Sequence, residues 1–363
     1  MNKLISISML LYLLFSGMAG AQARTQSVNL YAAERVILQN ADQRTQLAAV
    51  REALREVLVR VSGDPSAADA GGAVAAALEA PNDVLAQFGF GASDALLPDA
   101  IGNPQPTYRL QMVFDEQRVR QALTQSGFPI WSAQRPSVLM LLAGPYDGRI
   151  DLIHEGTPTD GVAMAQLAGQ RQGIPLFWPD WDIDDLALAT ADDLWVGNEG
   201  PMNALAARYQ TEPVLAGYVG VQPDSGQWVG RWHFLYAGQK FTATFFGESQ
   251  TSVIEQGVRL ATDALADRYA VDLSAPVQTL TVDVLNVTNI ANHGAVRRYL
   301  RGVNGVSAVT MERMRGDVAT YQLALRAPPT QWLDILALEG RLQGLSDIQR
   351  ADEVVALQFI WRE

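Results

Sequence analysis

The sequence predicts an α+β / α/β multidomain protein, and three observations carry that reading. Hydrophobic spacing switches repeatedly between the two-residue period of strands and the 3.6-residue period of helices. A continuous apolar run near 134–144, three tandem strands over 213–247 and a β-α-β-β-α-β order beyond 276 then mark blocks of different make-up. Net charge changes at the same places. Residues 22–133 carry 12 acidic and 9 basic side chains, 134–275 carry 18 and 8, and 276–363 carry 9 of each. The expected organisation is a signal peptide at 1–21, a small α+β domain at 22–133, an acidic α/β domain with a mixed sheet at 134–275, and a ferredoxin-like domain at 276–363.

The leader reads "MNKLISISMLLYLLFSGMAGAQA", with a basic start at Lys3, an apolar run from Leu4 to Met18, and small residues at Ala19 and Ala21. That is the layout of a cleaved signal peptide, and the run is shorter than the roughly 20 apolar residues a membrane span needs. A periplasmic protein with no integral membrane segment after cleavage is the expectation. The chain has no Cys, so thiol catalysis, thiolate metal sites and disulfides are excluded. The formal charge of −12 argues against a broad basic surface for nucleic acid or anionic lipid.

In the first block a strand is expected near 26–36. Asn40 and Gln43 stand at capping-box spacing before a helix whose Leu47, Val50, Leu54, Val57, Leu58 and Val61 share one face. Ser62-Gly63 ends it, an Ala-rich helix covers about 66–86, "YRLQMVF" at 108–114 alternates as a strand, and 116–126 is helical. The second block opens with the buried strand "QRPSVLMLLAG", followed by a helix near 160–172, a short strand at 173–178 and a helix near 201–209. Strands 213–221, 228–236 and 239–247 form a meander, and a helix at 250–268 closes the block. Beyond Ser274-Ala275-Pro276, strand 277–286, helix 293–301, strands 305–313 and 318–326, helix 330–342 and strand 353–361 give the ferredoxin-like order. With no net charge, this last block is expected to fold alone.

Arg44, Ala53, Leu54 and Val57 to Gly63 in the first helix, Arg135, Pro136 and Leu139 at the strand start, and Leu215, Gly217, Gly226, Trp228 and Trp232 in the meander occur in a familiar order. Together they resemble the proteobacterial exported proteins grouped as domain of unknown function 2066. That resemblance implies an envelope location and supplies no catalytic residues.

"WPDWDIDD" at 178–185 is the stretch that looks most like chemistry. Counted from Asp180, a calcium loop would have its aspartates at positions 1, 3 and 5, but Asp185 replaces the glycine of position 6 and Ala191 the glutamate of position 12. The reading is an acidic, solvated surface, with Asp180, Asp182, Asp184 and Asp185 mostly exposed because four close carboxylates repel. Runs of carboxylate there suit a partner's Arg or Lys. "AGPYDGR" at 143–149 lacks the Lys-Ser/Thr end of a phosphate loop. His233 is expected to be a structural histidine, and His154 and His293 lack metal partners at ligand spacing. The stripe Trp228, Trp232, Phe234 and Tyr236 is sheet core by its period of two. No catalytic, cofactor-binding or metal-ligating set is predicted. The function expected is a non-catalytic binding or assembly factor of the cell envelope with a protein partner; the alternative is a peptidoglycan-binding or glycan-cleaving protein of the cell wall.

Overall fold

A computed structural model describes residues 24–99, 101–146, 148–345 and 357–362. The signal peptide expected at 1–21 lies outside the described residues. The described chain is a mixed α and β structure on several sheets, none of them closed into a barrel.

Strand β1 (Thr25–Ser27) is followed by β2 (Ala32–Leu38) and by helix α1 (Gln43–Ser62). The cap of α1 is Asp42, whose carboxylate accepts the Thr45 N–H, and not the Asn40 that spacing suggested. Gly63 closes the helix at φ 77°, the left-handed exit glycine takes cheaply. The long Ala-rich helix expected at 66–86 is broken. Two 3-10 turns flank a short α2 (Ala73–Glu79), because Pro65, Gly71, Gly72 and Pro81 interrupt it. Strand β3 (Leu85–Pro98), absent from the sequence reading, pairs with β4 (Pro104–Phe114), and α3 (Glu116–Gln125) follows. The sheet order is β2-β4-β3, all antiparallel, with Leu110, Met112 and Phe114 buried against Leu54, Leu58 and Val61.

Next come β5 (Gln134–Pro136), which pairs with β1, then β6 (Val138–Tyr146) and β7 (Arg149–Ile153). Helix α4 (Gly161–Gln172), β8 (Leu176–Phe177), α5 (Ile183–Leu188), α6 (Ala191–Val196) and α7 (Glu199–Arg208) lead to β9 (Val214–Val221). Strands β10 (Trp228–Tyr236) and β11 (Gln239–Gly247) complete the meander before α8 (Gln250–Tyr269). The six-stranded sheet runs β11-β10-β9-β6-β7, with β8 also on β6; β6 is parallel to β8 and β9, and the remaining pairs are antiparallel. Both faces are covered, which explains the unbroken apolar run of β6. Val138, Met140 and Leu142 meet α4 and α8, while Leu139, Leu141 and Ala143 share a second core with Leu194, Met202 and Leu205.

The last sheet contains β12 (Gln278–Leu285), β13 (Val306–Arg315), β14 (Val318–Leu325), β15 (Leu342–Gly344) and β16 (Leu357–Trp361), with α9 (Ile290–Gly302) and α10 (Pro329–Glu339) packed on it. Its order, β13-β14-β12-β16-β15, departs from the ferredoxin-like plan: β16 is parallel to β12, where that plan requires an antiparallel neighbour. The short β15 leaves α10 in the expected direction, and the chain then returns to insert β16 between β15 and β12. Phe359 and Trp361 of β16 are buried and Gln343 and Gly344 of β15 are exposed, so burial of the two aromatics accounts for which strand takes the inner place. The core does not stop at 275. Trp131, Tyr269 and Val271 belong to the same buried cluster as Tyr321, Trp332 and Trp361.

Candidate functional site

The acidic stretch forms a structured clasp on the outer face of the six-stranded sheet. Asp182 caps α5, its Oδ1 accepting the N–H groups of Asp184 at 3.0 Å and Asp185 at 2.9 Å. Asp184 and Asp185 occupy the first turn, where carboxylates complement the helix dipole. Facing them is the last turn of α7. The Arg208 guanidinium grips Asp182 with two bonds, Nη1 to Oδ1 at 2.9 Å and Nη2 to Oδ2 at 2.5 Å. Its Nη1 also lies 2.9 Å from Asp185 Oδ1, and its Nη2 lies 3.9 Å from Asp184. The positive charge that aligned aspartates attract is therefore supplied by the chain itself.

The expectation that all four aspartates are exposed fails at one position. Asp180, Asp182 and Asp184 are exposed, but Asp185 is fully buried. Asp185 Oδ2 accepts the Trp181 N–H at 2.9 Å and the Tyr209 hydroxyl at 2.6 Å. The same hydroxyl accepts the Asp180 N–H at 2.7 Å. These bonds hold Trp181 at φ 50°, a left-handed conformation that a bulky residue adopts only when its surroundings impose it. The repulsion argument gave four carboxylates one fate; an Arg-Tyr pair beyond the next helix separates them. Arg208 and Tyr209 were missed, and the available signal was a basic residue ending a helix in the most acidic third of the chain.

The bonds from Arg208 hold the Asp182 carboxyl below the usual carboxylate range. Burial, then the bond to Asp185, pushes the Tyr209 phenol up to about 12. Neither group changes charge near neutrality, which unsuits both for general acid–base work. Among the described residues, no group of three or more His, Asp or Glu is placed to hold a metal ion.

Beyond the clasp, Thr190 and Asp193 form a reciprocal capping box at the start of α6, and Asn198 Nδ2 donates to Asp193 Oδ1 at 2.9 Å. Asp180, Asp184 and Asp192 are left as the exposed acids of the segment, the Asp184 carboxylate having, among the described residues, only its 3.9 Å contact with Arg208. Around them the α5–α6 segment shows water a set of apolar side chains: Ile183 (83 % exposed), Leu186 (53 %), Leu188, Trp195 and Val196. Trp195 is fixed edge-on to Tyr218 at 4.6 Å, with Arg231 over its ring.

The histidines are engaged locally. His233 is buried beneath Gly197, its Nδ1 3.1 Å from Thr242 Oγ1; His154 Nδ1 accepts the Gly156 N–H; His293 Nδ1 lies 2.7 Å from the Tyr321 hydroxyl. The "AGPYDGR" stretch is the β6–β7 turn, with Asp147 outside the described residues. Trp232, Phe234 and Tyr236 are sheet core, and Trp228 is half-buried beside them.

Among protein-family models, a domain of unknown function (DUF8605) matches residues 25–132. This corrects the resemblance to domain of unknown function 2066. Of the motifs behind that resemblance, only the α1 helix lies in the matched span. The other two are structural: Arg135 is fully buried among backbone carbonyls, and Trp232 fills a slot between glycines. No curated protein and no solved structure matches the chain.

Proposed function

We propose that this chain is an exported, non-catalytic binding protein of the cell envelope, which docks a basic, apolar-bearing segment of a protein partner on its α5–α6 surface. One observation carries the reading: Asp180, Asp184 and Asp192 lie exposed on the same short segment as exposed Ile183, Leu186 and Val196. Large apolar side chains in water beside free carboxylates suit a partner with Lys or Arg flanking apolar anchors, the charges steering and the apolar groups holding. The clasp gives the segment a fixed shape, which lowers the cost of binding. The leader pattern supports export. Among the described residues, no helix is long and apolar enough to cross a membrane. The cell-wall alternative would draw its support from a ferredoxin-like C-terminal plan, since small domains of that plan can bind peptidoglycan, and the parallel β16 departs from it.

A photo-crosslinking side chain at Leu186 of the full chain, expressed in its host, tests the proposal. The expected result is a discrete protein adduct that disappears at high salt and in the triple variant Asp180→Asn, Asp184→Asn, Asp192→Asn. The control position is Ile290, 89 % exposed at the start of α9, which packs on a different sheet. Equal labelling from Leu186 and Ile290, or an adduct indifferent to the triple variant, would sink the proposal. Retention of the purified protein on sacculi would favour the cell-wall reading instead.

A further inference from the structure

A cleft of about 460 Å³ lies away from the α5–α6 surface, where three distant parts of the chain converge. Tyr31 and Arg120, Ser132 and Leu273, and the turn after α9 through Ser307, with Arg326, line it. The volume falls within the range of small-molecule sites. Its charge is unlike that of the protein. Three guanidiniums, Arg120, Arg301 and Arg326, line it, against the single carboxylate of Glu116.

That carboxylate is loosely engaged, 3.9 Å from Arg120. Arg326 donates Nη1 to the Ala275 carbonyl at 2.8 Å and has no ion pair within 4 Å among the described residues. Arg301 is exposed, and among the described residues its guanidinium has neither a hydrogen bond nor an ion pair. Its place in the last turn of α9 suits the helix dipole, but that reason does not extend to Arg120 or Arg326. Asp272, beside Arg326, is occupied by Ser274, whose N–H and hydroxyl donate to it at 2.8 and 2.6 Å. Burial, then the charge of Glu116, raises the Tyr31 phenol, which hydrogen-bonds with both Arg120 and Glu116 at the edge of the cleft. Apolar side chains, Leu273, Val303 and Val306 among them, share the rest of the lining with Ser132, Asn304 and Ser307.

We propose that this cleft binds a small amphipathic anion, a carboxylate or phosphate monoester head on a short apolar body. The guanidiniums take the oxyanion, which their planar donors fit. The Leu and Val side chains take the apolar part. This site is independent of the α5–α6 surface, and failure of either proposal leaves the other standing.

Calorimetric titration of the full mature chain tests it with four probes: octanoate, octyl phosphate, 1-octanol and inorganic phosphate. Saturable binding of octanoate or octyl phosphate is expected, and which of the two binds tighter assigns the head group. Octanol and inorganic phosphate should each bind at least about tenfold more weakly, since each lacks one half of the recognition. Arg301→Gln should weaken the amphipathic anions by about tenfold, the loss of one charge-assisted contact. Its melting temperature should change little, because an exposed charge in the last turn of α9 is the only other role Arg301 has. Three results would overturn the proposal: no saturable binding of either anion at millimolar concentration, octanol or inorganic phosphate binding as well as the amphiphiles, or Arg301→Gln binding like the parent.

Discussion

Replacing Gly257 by Ala sets two effects of opposite sign against each other. Gly257 lies inside α8, where alanine is favoured by helix propensity by about 1 kcal/mol. A Cβ there would stand 2.5 Å from Trp232 Cζ2 and closer still to the ring-fusion carbons Cδ2 and Cε2. The indole has no retreat. On its other side is Gly217 of β9, directly across from it in register, where a Cβ would be 2.7 Å from Cη2. Gly230 crowds the pyrrole edge, and the indole N–H is tied to the Val253 carbonyl at 3.0 Å. Overpacking of this kind costs about 1–3 kcal/mol where neighbours can shift, and more where they cannot. Confinement from two sides places Gly257→Ala at or beyond the upper end, so a net loss of about 2 kcal/mol or more remains after the propensity gain. Thermal melting should fall by about 4 °C or more at the usual conversion. Trp232→Leu removes the rings that collide. In that background Gly257→Ala should be neutral or stabilising, a coupling of about 1–3 kcal/mol in the double-mutant cycle. The reasoning is refuted if Gly257→Ala melts at or above the parent, or costs the same with and without the indole.

Asp185→Ala removes the acceptor for the Trp181 N–H and the Tyr209 hydroxyl, each worth about 1–3 kcal/mol when a buried donor is left unpaired. Because α5 is short, it is expected to open locally, so hydrogen exchange over 181–188 should quicken more than global melting falls; unchanged exchange contradicts the clasp. Arg135 is wholly buried, stacked on Trp131 and bonded to the carbonyls of Arg60, Ser132 and Gly173. Burial, then repulsion by Arg60, draws its pKa well below the usual value. Arg135→Lys cannot span those acceptors and should lose about 2 kcal/mol or more in urea unfolding, whereas a charge-only role predicts little change. Burial, with Lys240 and Arg231 nearby, lowers the His233 pKa from its ordinary 6.5. Its contribution to stability is full above pH 6.5 and is lost as pH falls through that value toward the folded pKa, because the unfolded chain binds the proton first. An NMR titration placing His233 above 6.5 reverses that sign.

What could be read from the sequence divides by whether the deciding partner is local. Helix α1 and strands β9 to β11 emerge near their observed ends because their burial pattern repeats along their own length. Strand β3 was missed because Gly89, Gly91, Ala92 and Ala95 blur its alternation, and its pairing comes from β4. The four aspartates were recognised as a unit, but the fate of Asp185 was set by Tyr209, 24 residues away. Strand direction is a further blind spot: a strand was expected at 353–361, but whether it ran with or against β12 depended on the return after β15.

The block beyond 276 shows why neutrality was the wrong test of independence. Zero net charge says that a segment needs no counterions from its neighbours; it says nothing about who covers its apolar face. Here α10 packs toward α8, with Arg268 paired to Asp334 at 2.8 Å and Gln331 donating to the Ala270 carbonyl. Asn304 reaches the Ile130 carbonyl, and Arg326 reaches that of Ala275. Trp332 and Trp131 then belong to one buried cluster. The same convergence that fastens the last sheet to the rest brings Tyr31, Arg120, Arg301 and Arg326 around one cleft. Residues so far apart in sequence carry no common pattern, so a site of this kind is written in the packing of connecting segments and in no motif. A ligand that bridges Arg120 and Arg301 would bind only the assembled chain, and its binding would therefore stabilise the junction itself.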